Sequence, residues 1–236
     1  DDIQASSRKY PAIIFEQNRE AGDQILHVEN MSKSANGEQL FTNFDLNVQK
    51  GDKIAFIADN SLAITSLFQI LMGEIEADSG NHHYGQTITK AYLPNDNSNY
   101  FKSKDNLIDW LRQYSDNKDE VFVRGFLGKM LFTGEESFKQ CNVLSGGEKV
   151  RCMTSRVMLG QGNLLILDEP TNHLDLESIQ AFNEALKKFP GTVLFTSHDH
   201  QFTQTVANRV IRLAPNKFTD KVCTFDEFLE KELAIV

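Results

Sequence analysis

Leu144-Ser145-Gly146-Gly147-Glu148 and, one helix's length further on, Leu164-Leu165-Ile166-Leu167-Asp168-Glu169-Pro170-Thr171-Asn172-His173-Leu174-Asp175 are the segments from which this fold can be read. Four apolar residues ending in Asp168 describe a buried parallel strand. Its carboxylate emerges at the carboxyl edge of a sheet, where open α/β folds place their ligands. A carboxylate there can hold Mg²⁺ through water, and Glu169 is placed to orient or deprotonate a water attacking a γ-phosphate. Ser145-Gly146-Gly147 opens a helix predicted over Glu148–Leu159, so free backbone N–H groups and a hydroxyl face outward at a helix N-terminus, an anion site. Taken singly, each segment has a plainer reading, a strand end and a helix cap.

Outward from this pair, a strand predicted over Lys53–Ile57 feeds Ala58-Asp59-Asn60-Ser61-Leu62-Ala63-Ile64-Thr65-Ser66 and a helix predicted over Thr65–Met72. Strand, loop and helix in that order is where a phosphate-binding loop belongs. Such a loop needs glycines for close backbone approach and a lysine to neutralise the phosphates. This stretch has neither. On the other side, Leu174–Phe189 is expected as a helix, Thr192–Thr196 as a strand, and Ser197-His198-Asp199-His200 as a loop entering a helix over Gln201–Asn208. His198 thus follows a strand's end. A cap or core role is the plainer reading of that position alone, but after Asp168-Glu169 it suits a γ-phosphate sensor.

In this order the segments resemble the ATP-binding-cassette (ABC) family, matching its signature (Leu144–Glu148), Walker B (Leu164–Glu169), D-loop (Asn172–Asp175) and switch histidine (His198). The resemblance spans nearly the whole chain. Glu148 closing Leu-Ser-Gly-Gly, Asn172-His173-Leu174-Asp175, and Ser197-His198-Asp199-His200-Gln201-Phe202 with Arg209-Val210-Ile211 are similar to the ABC-F branch, and to the second cassette of its tandem pair. That branch consists of soluble ATPases, most of which act on ribosomes. The resemblance implies an α/β, ABC-type P-loop NTPase domain with a mainly parallel core sheet, an antiparallel β-layer and a small helical signature subdomain over about 97–150. Residues 1–11 would be the end of an inter-cassette linker and 12–236 the nucleotide-binding domain.

Site roles follow from the same resemblance. Glu169 and His198 would be catalytic, Asp168 and Thr65 would hold Mg²⁺, and Asn60, Ser61, Ala63, Ile64, Thr65 and Ser66 would form the P-loop. In that loop Ala58, Ser61, Ala63 and Ile64 stand where the family has Gly, Gly, Gly and Lys; only Asn60, Thr65 and Ser66 fit. Removing one partner of a desolvated charge pair costs roughly 3–5 kcal/mol, two to three decades of affinity. ATP with Mg²⁺ is therefore expected to bind this chain's own loop weakly or not at all. Ala35 replaces the adenine-stacking aromatic, and Asn95, in Tyr92-Leu93-Pro94-Asn95, the metal-reaching glutamine. ABC sites are composite, so Ser145, Gly146, Gly147 and Glu148, with Asp175 of the D-loop, would cover ATP held by a partner, the N-terminal cassette of the same polypeptide. Ribosome and rRNA contacts are expected through regions mostly outside this chain. The ATP-binding subunit of a transporter and a nucleotide-independent regulatory cassette are the alternatives.

A chain of 236 residues that is 40% hydrophobic is long enough for a packed core, and a net charge of −9 argues against binding nucleic acid through a broad basic face of its own. Cys141, Cys152 and Cys223 form no C-x-x-C pair, so reduced thiols and a cytoplasmic setting are expected. No apolar run approaches the roughly 20 residues of a membrane helix. Strands are expected over Ala12–Phe15, Gln24–Val28, Gln39–Val48, Val210–Leu213 and Val222–Phe225, two amphipathic helices between Asn106 and Phe132, and a last helix over Asp226–Leu233. Trp110, Tyr114, Phe122 and Phe126 recur at helical spacing and read as packing residues.

Overall fold

The computed structural model describes residues 10–235, so the linker expected over 1–11 lies, apart from Tyr10 and Pro11, outside the described residues. The chain forms two units. One comprises the described part of Asp1–Glu16 with Asp96–Gln161 and Thr171–Phe189, the other Gln17–Asn95, Gly162–Pro170 and the described part of Pro190–Val236.

The second unit holds two sheets. In the smaller, β1 (Leu26–Ala35) lies between β2 (Glu38–Val48) and β4 (Ser79–Tyr84), antiparallel to both. Asn36 and Gly37 turn β1 into β2 with φ of 54° and 79°, the left-handed pair a two-residue hairpin demands. Along β2, Phe44, Leu46 and Val48 are buried while Asp45 and Asn47 face out, so one face joins the core.

The larger sheet has the order β5 (Lys90–Leu93), β6 (Leu164–Asp168), β7 (Thr192–Thr196), β3 (Lys53–Ala58), β8 (Arg209–Leu213), β9 (Phe218–Lys221). All neighbours are parallel except β8 and β9. Every residue of β6 and β7 is buried, as continuous apolar runs covered on both faces require. Helix α1 (Ser61–Leu71) follows β3 and packs Phe68 edge-to-face on Phe56 at 5.5 Å.

Two expectations fail here and one strand was unforeseen. Val222–Phe225 forms no strand; the edge strand is β9, and Thr224 caps helix α7 (Phe225–Leu233) through a reciprocal bond pair with Glu227. Strand β4 was not expected, because Ser79-Gly80-Asn81-His82-His83-Tyr84 carries no apolar alternation and pairs only along one edge of β1. Helix α1 starts four residues before Thr65, with consequences for the site below.

The first unit is helical: α2 (Leu107–Arg112), α3 (Glu120–Lys129), α4 (Gly146–Gly160) and α5 (Leu176–Lys188). Trp110 is fully buried, stacks on Phe101 at 4.9 Å and donates its indole N–H to the Tyr100 carbonyl, so it packs as its spacing implied. Residues 12–15 form no strand; the Ala12 N–H instead donates to the Lys129 carbonyl at the end of α3.

Candidate functional site

The carboxyl ends of β3, β6 and β7 lie side by side, because β7 pairs with both others. Asp168, the last residue of β6, is 2% exposed and pairs in register with Thr196. Thr65 on α1 donates its hydroxyl to Asp168 Oδ2 at 2.7 Å. Glu169 leaves the strand with φ of 51°, a left-handed conformation that side chains other than glycine adopt at a cost. Its N–H donates to the Thr196 carbonyl at 3.0 Å, holding the turn against β7. The carboxylate then meets His198: Oε2 accepts the His198 backbone N–H and Oε1 lies 3.2 Å from Nε2, each at 3.2 Å. Asp199 caps helix α6 (His200–Val206) through the Phe202 N–H and so fixes the loop carrying His198. The His198 side chain is 83% exposed, and Glu169 is 8% exposed.

Burial pushes both carboxyls above the usual carboxylate range. The Thr65 hydroxyl and His198 oppose this at Asp168; at Glu169 the bond from His198 and its charge oppose it while the Asp168 charge adds to it. Thr65, Asp168, Glu169 and His198 are thus one cluster, as the sequence reading grouped them.

The expected phosphate loop is a different matter. Asn60 is the N-cap of α1, its side chain accepting the Leu62 N–H at 3.0 Å. Ser61, Leu62, Ala63 and Ile64 therefore form the first helical turn, not an open loop. No residue from Ala58 to Ser66 has positive φ, so the left-handed turns that glycines supply in such a loop are missing here. Ile64 is 3% exposed and belongs to the hydrophobic core with Leu67, Phe68 and Leu213. Ser66 is buried, and Ser61 is exposed. Thr65 and Asp168 fit one side of a Mg²⁺ site, whereas the residues meant for the triphosphate do not fit it. Among the described residues, no group of three or more His, Cys, Asp or Glu side chains could hold a metal ion. Ala35 packs against the core and Asn95 is exposed.

In the helical unit, Ser145 is the N-cap of α4. Its hydroxyl oxygen accepts the Glu148 N–H at 3.2 Å, and Glu148 Oε1 accepts the Ser145 N–H at 3.1 Å. This capping box was not foreseen, though Ser-x-x-Glu is its sequence sign. Glu148 Oε2 also accepts from Lys139 Nζ at 2.9 Å. That bond, with those from Ser145, holds the Glu148 carboxyl below its ordinary range. A Cβ at Gly147 would come within 2.8 Å of the His173 carbonyl, so the D-loop backbone leaves room only for glycine there. Asp175 caps α5 through the Ser178 N–H at 2.8 Å.

A parallel sheet ending in Asp168-Glu169, with His198 beyond its neighbour and a Ser-Gly-Gly-capped helix, defines the class of ATP-binding cassettes. Residues 41–172 match the family model described as ABC transporter, and the chain belongs to that family. Its cassette domains bind ATP with Mg²⁺ and are ATPases.

Over 232 residues the chain is 56% identical to the ABC transporter ATP-binding protein YkpA of Bacillus subtilis (strain 168), covering 98% of this chain and 43% of that protein. It is 30% identical over 197 residues to the energy-dependent translational throttle protein EttA of Haemophilus influenzae, covering 80% and 35%. With ABC transporter F family member 5 of Arabidopsis thaliana it shares 28% over 227 residues, covering 96% and 33%. The chain thus spans less than half the length of these relatives.

Among solved structures, a dimeric ATP-binding cassette in a post-hydrolysis state with ADP and Pi superposes with a TM-score of 0.71 at 14% identity, covering 84% of this chain and 98% of that one. An ATP-binding subunit of an ABC transporter does so with 0.70 at 18%, covering 88% and 93%. These likenesses bear out the α/β cassette fold. No described helix is long and apolar enough to cross a membrane.

Proposed function

We propose that this chain is the second cassette of a tandem ABC-F type ATPase acting in translation on the ribosome, and that it serves ATP bound elsewhere more than ATP of its own. The observation that carries the reading is α1: its first turn occupies residues 61–64 and Ile64 is in the core, so a triphosphate has neither the left-handed glycine turns nor a cation here. Asp168, Glu169, His198 and Thr65 then face a degenerate seat. Ser145, Gly146, Gly147, Glu148 and Asp175 cover the ATP of a partner cassette in the same polypeptide. The ribosomal assignment is supported by similarity to a translational throttle protein and to an F-family member.

Two variants of the full-length protein test the asymmetry. Gly147→Asp, which blocks the signature, should abolish steady-state ATP hydrolysis, and Glu169→Gln should leave most of it. The reverse pattern overturns the reading. Co-sedimentation with ribosomes in the presence of ATP tests the translational role, and its absence favours a transporter subunit or a regulatory cassette.

A further inference from the structure

We propose that Lys139 is a positioning residue for the signature, neutralising Glu148 so that the amino end of α4 accepts a polyphosphate. The inference rests on the reading that this signature covers a partner's ATP. A helix N-terminus attracts anions through its free N–H groups. In α4, however, the third helical residue is Glu148, and its carboxylate is folded back onto the Ser145 N–H at 3.1 Å. The first turn that should receive a phosphate therefore already holds a negative charge. Lys139 answers it. Its Nζ lies 2.9 Å from Oε2, the oxygen that Ser145 does not use, so both carboxylate oxygens are engaged and the pair is neutral. The Glu148 N–H takes the Ser145 oxygen as acceptor, which leaves the serine's own proton to donate outward. The ion pair is thus what reconciles a capping box with anion binding, and Lys139 acts through Glu148 without touching nucleotide itself.

Steady-state ATPase kinetics of the full-length protein test this. Lys139→Ala should raise KM for ATP roughly three- to tenfold with kcat within about twofold, because one uncompensated charge near the helix end is worth that much at a surface. Lys139→Arg should restore KM. In a Glu148→Gln background, Lys139→Ala should have no further effect on KM, since no charge remains to neutralise. An unchanged KM in Lys139→Ala overturns the proposal. So does an equal rise in both backgrounds, which would mean direct phosphate contact or a structural role. If Gly147→Asp leaves hydrolysis intact, the signature reading itself fails, and that failure is separate from any Lys139 result.

Discussion

At position 64 the obvious repair makes matters worse. Restoring the lysine that the family places there, Ile64→Lys, puts an ammonium into a position that is 3% exposed within the hydrophobic core of the β-layer and α1. The expected result is a loss of about 3–5 kcal/mol of stability, the cost of an uncompensated buried charge, with no gain of nucleotide binding. Urea unfolding read beside a nucleotide titration checks both. A stable variant that binds ATP would mean that α1 unwinds its first turn at little cost. Glu169 carries a second prediction. Its folded pKa lies above the ordinary value, chiefly through burial, so the folded state prefers the protonated form and ionisation opposes folding. That preference costs nothing below about pH 4.3, the unperturbed value; the cost grows as pH rises from there through the folded value and is constant above it. Glu169→Gln should therefore raise the melting temperature at pH 8 and lose the advantage as pH falls toward 4. Equal gains at both ends would show that ionisation of Glu169 is not the cause.

At the scale of elements, what could be read from sequence depended on whether a segment's partners were local. β6 and β7 are apolar at most positions and bounded by breakers, so their burial on both faces was legible. The capping residues Asp175 and Asp199 sit where helices were expected to begin. Asn60 was equally visible as a cap, yet the strand–loop–helix template assigned it to an open loop. The helical turn that replaced the loop follows from the same missing glycines that made the loop look defective. Without left-handed residues, the cheapest path from Asn60 to Thr65 is helical. The amino end of α4 gives the prediction for this scale. Gly147→Ala adds a Cβ only 2.8 Å from the His173 carbonyl, backbone that cannot swing aside as a side chain could. Destabilisation of roughly 1–3 kcal/mol is expected by thermal unfolding, as for overpacking generally. Gly125→Ala on α3, where nothing lies within 4 Å, should be neutral or stabilising as a helix-favouring change.

Across the whole molecule, the chain leaves the sheet-bearing unit at Asn95, returns for Gly162–Pro170, and returns again at Pro190, so its stability rests on pairings between distant segments. Such pairings leave no local trace in sequence. Arg209 is the clearest case. Its side chain is 10% exposed, and it grips Asp220 with two bonds of 2.8 and 2.6 Å. Nη1 also donates to Asp52 at 2.8 Å and to the Asn47 carbonyl at 3.0 Å. One guanidinium thereby joins β8 to β9, to the turn before β3 and to the end of β2, linking both sheets of that unit. Asp220 holds the arginine pKa above even its ordinary value. Arg209→Met keeps the apolar stem and removes the charge, leaving two half-buried carboxylates facing each other's repulsion. A loss of about 3–5 kcal/mol is expected, because breaking a buried pair strands its partner. If stranded charge is the cause, adding Asp220→Asn to Arg209→Met should recover part of the loss, although it removes a further ionic group. Urea midpoints of the two single variants and the double decide this through a mutant cycle. Additive losses would show that the arginine holds the sheets by packing alone.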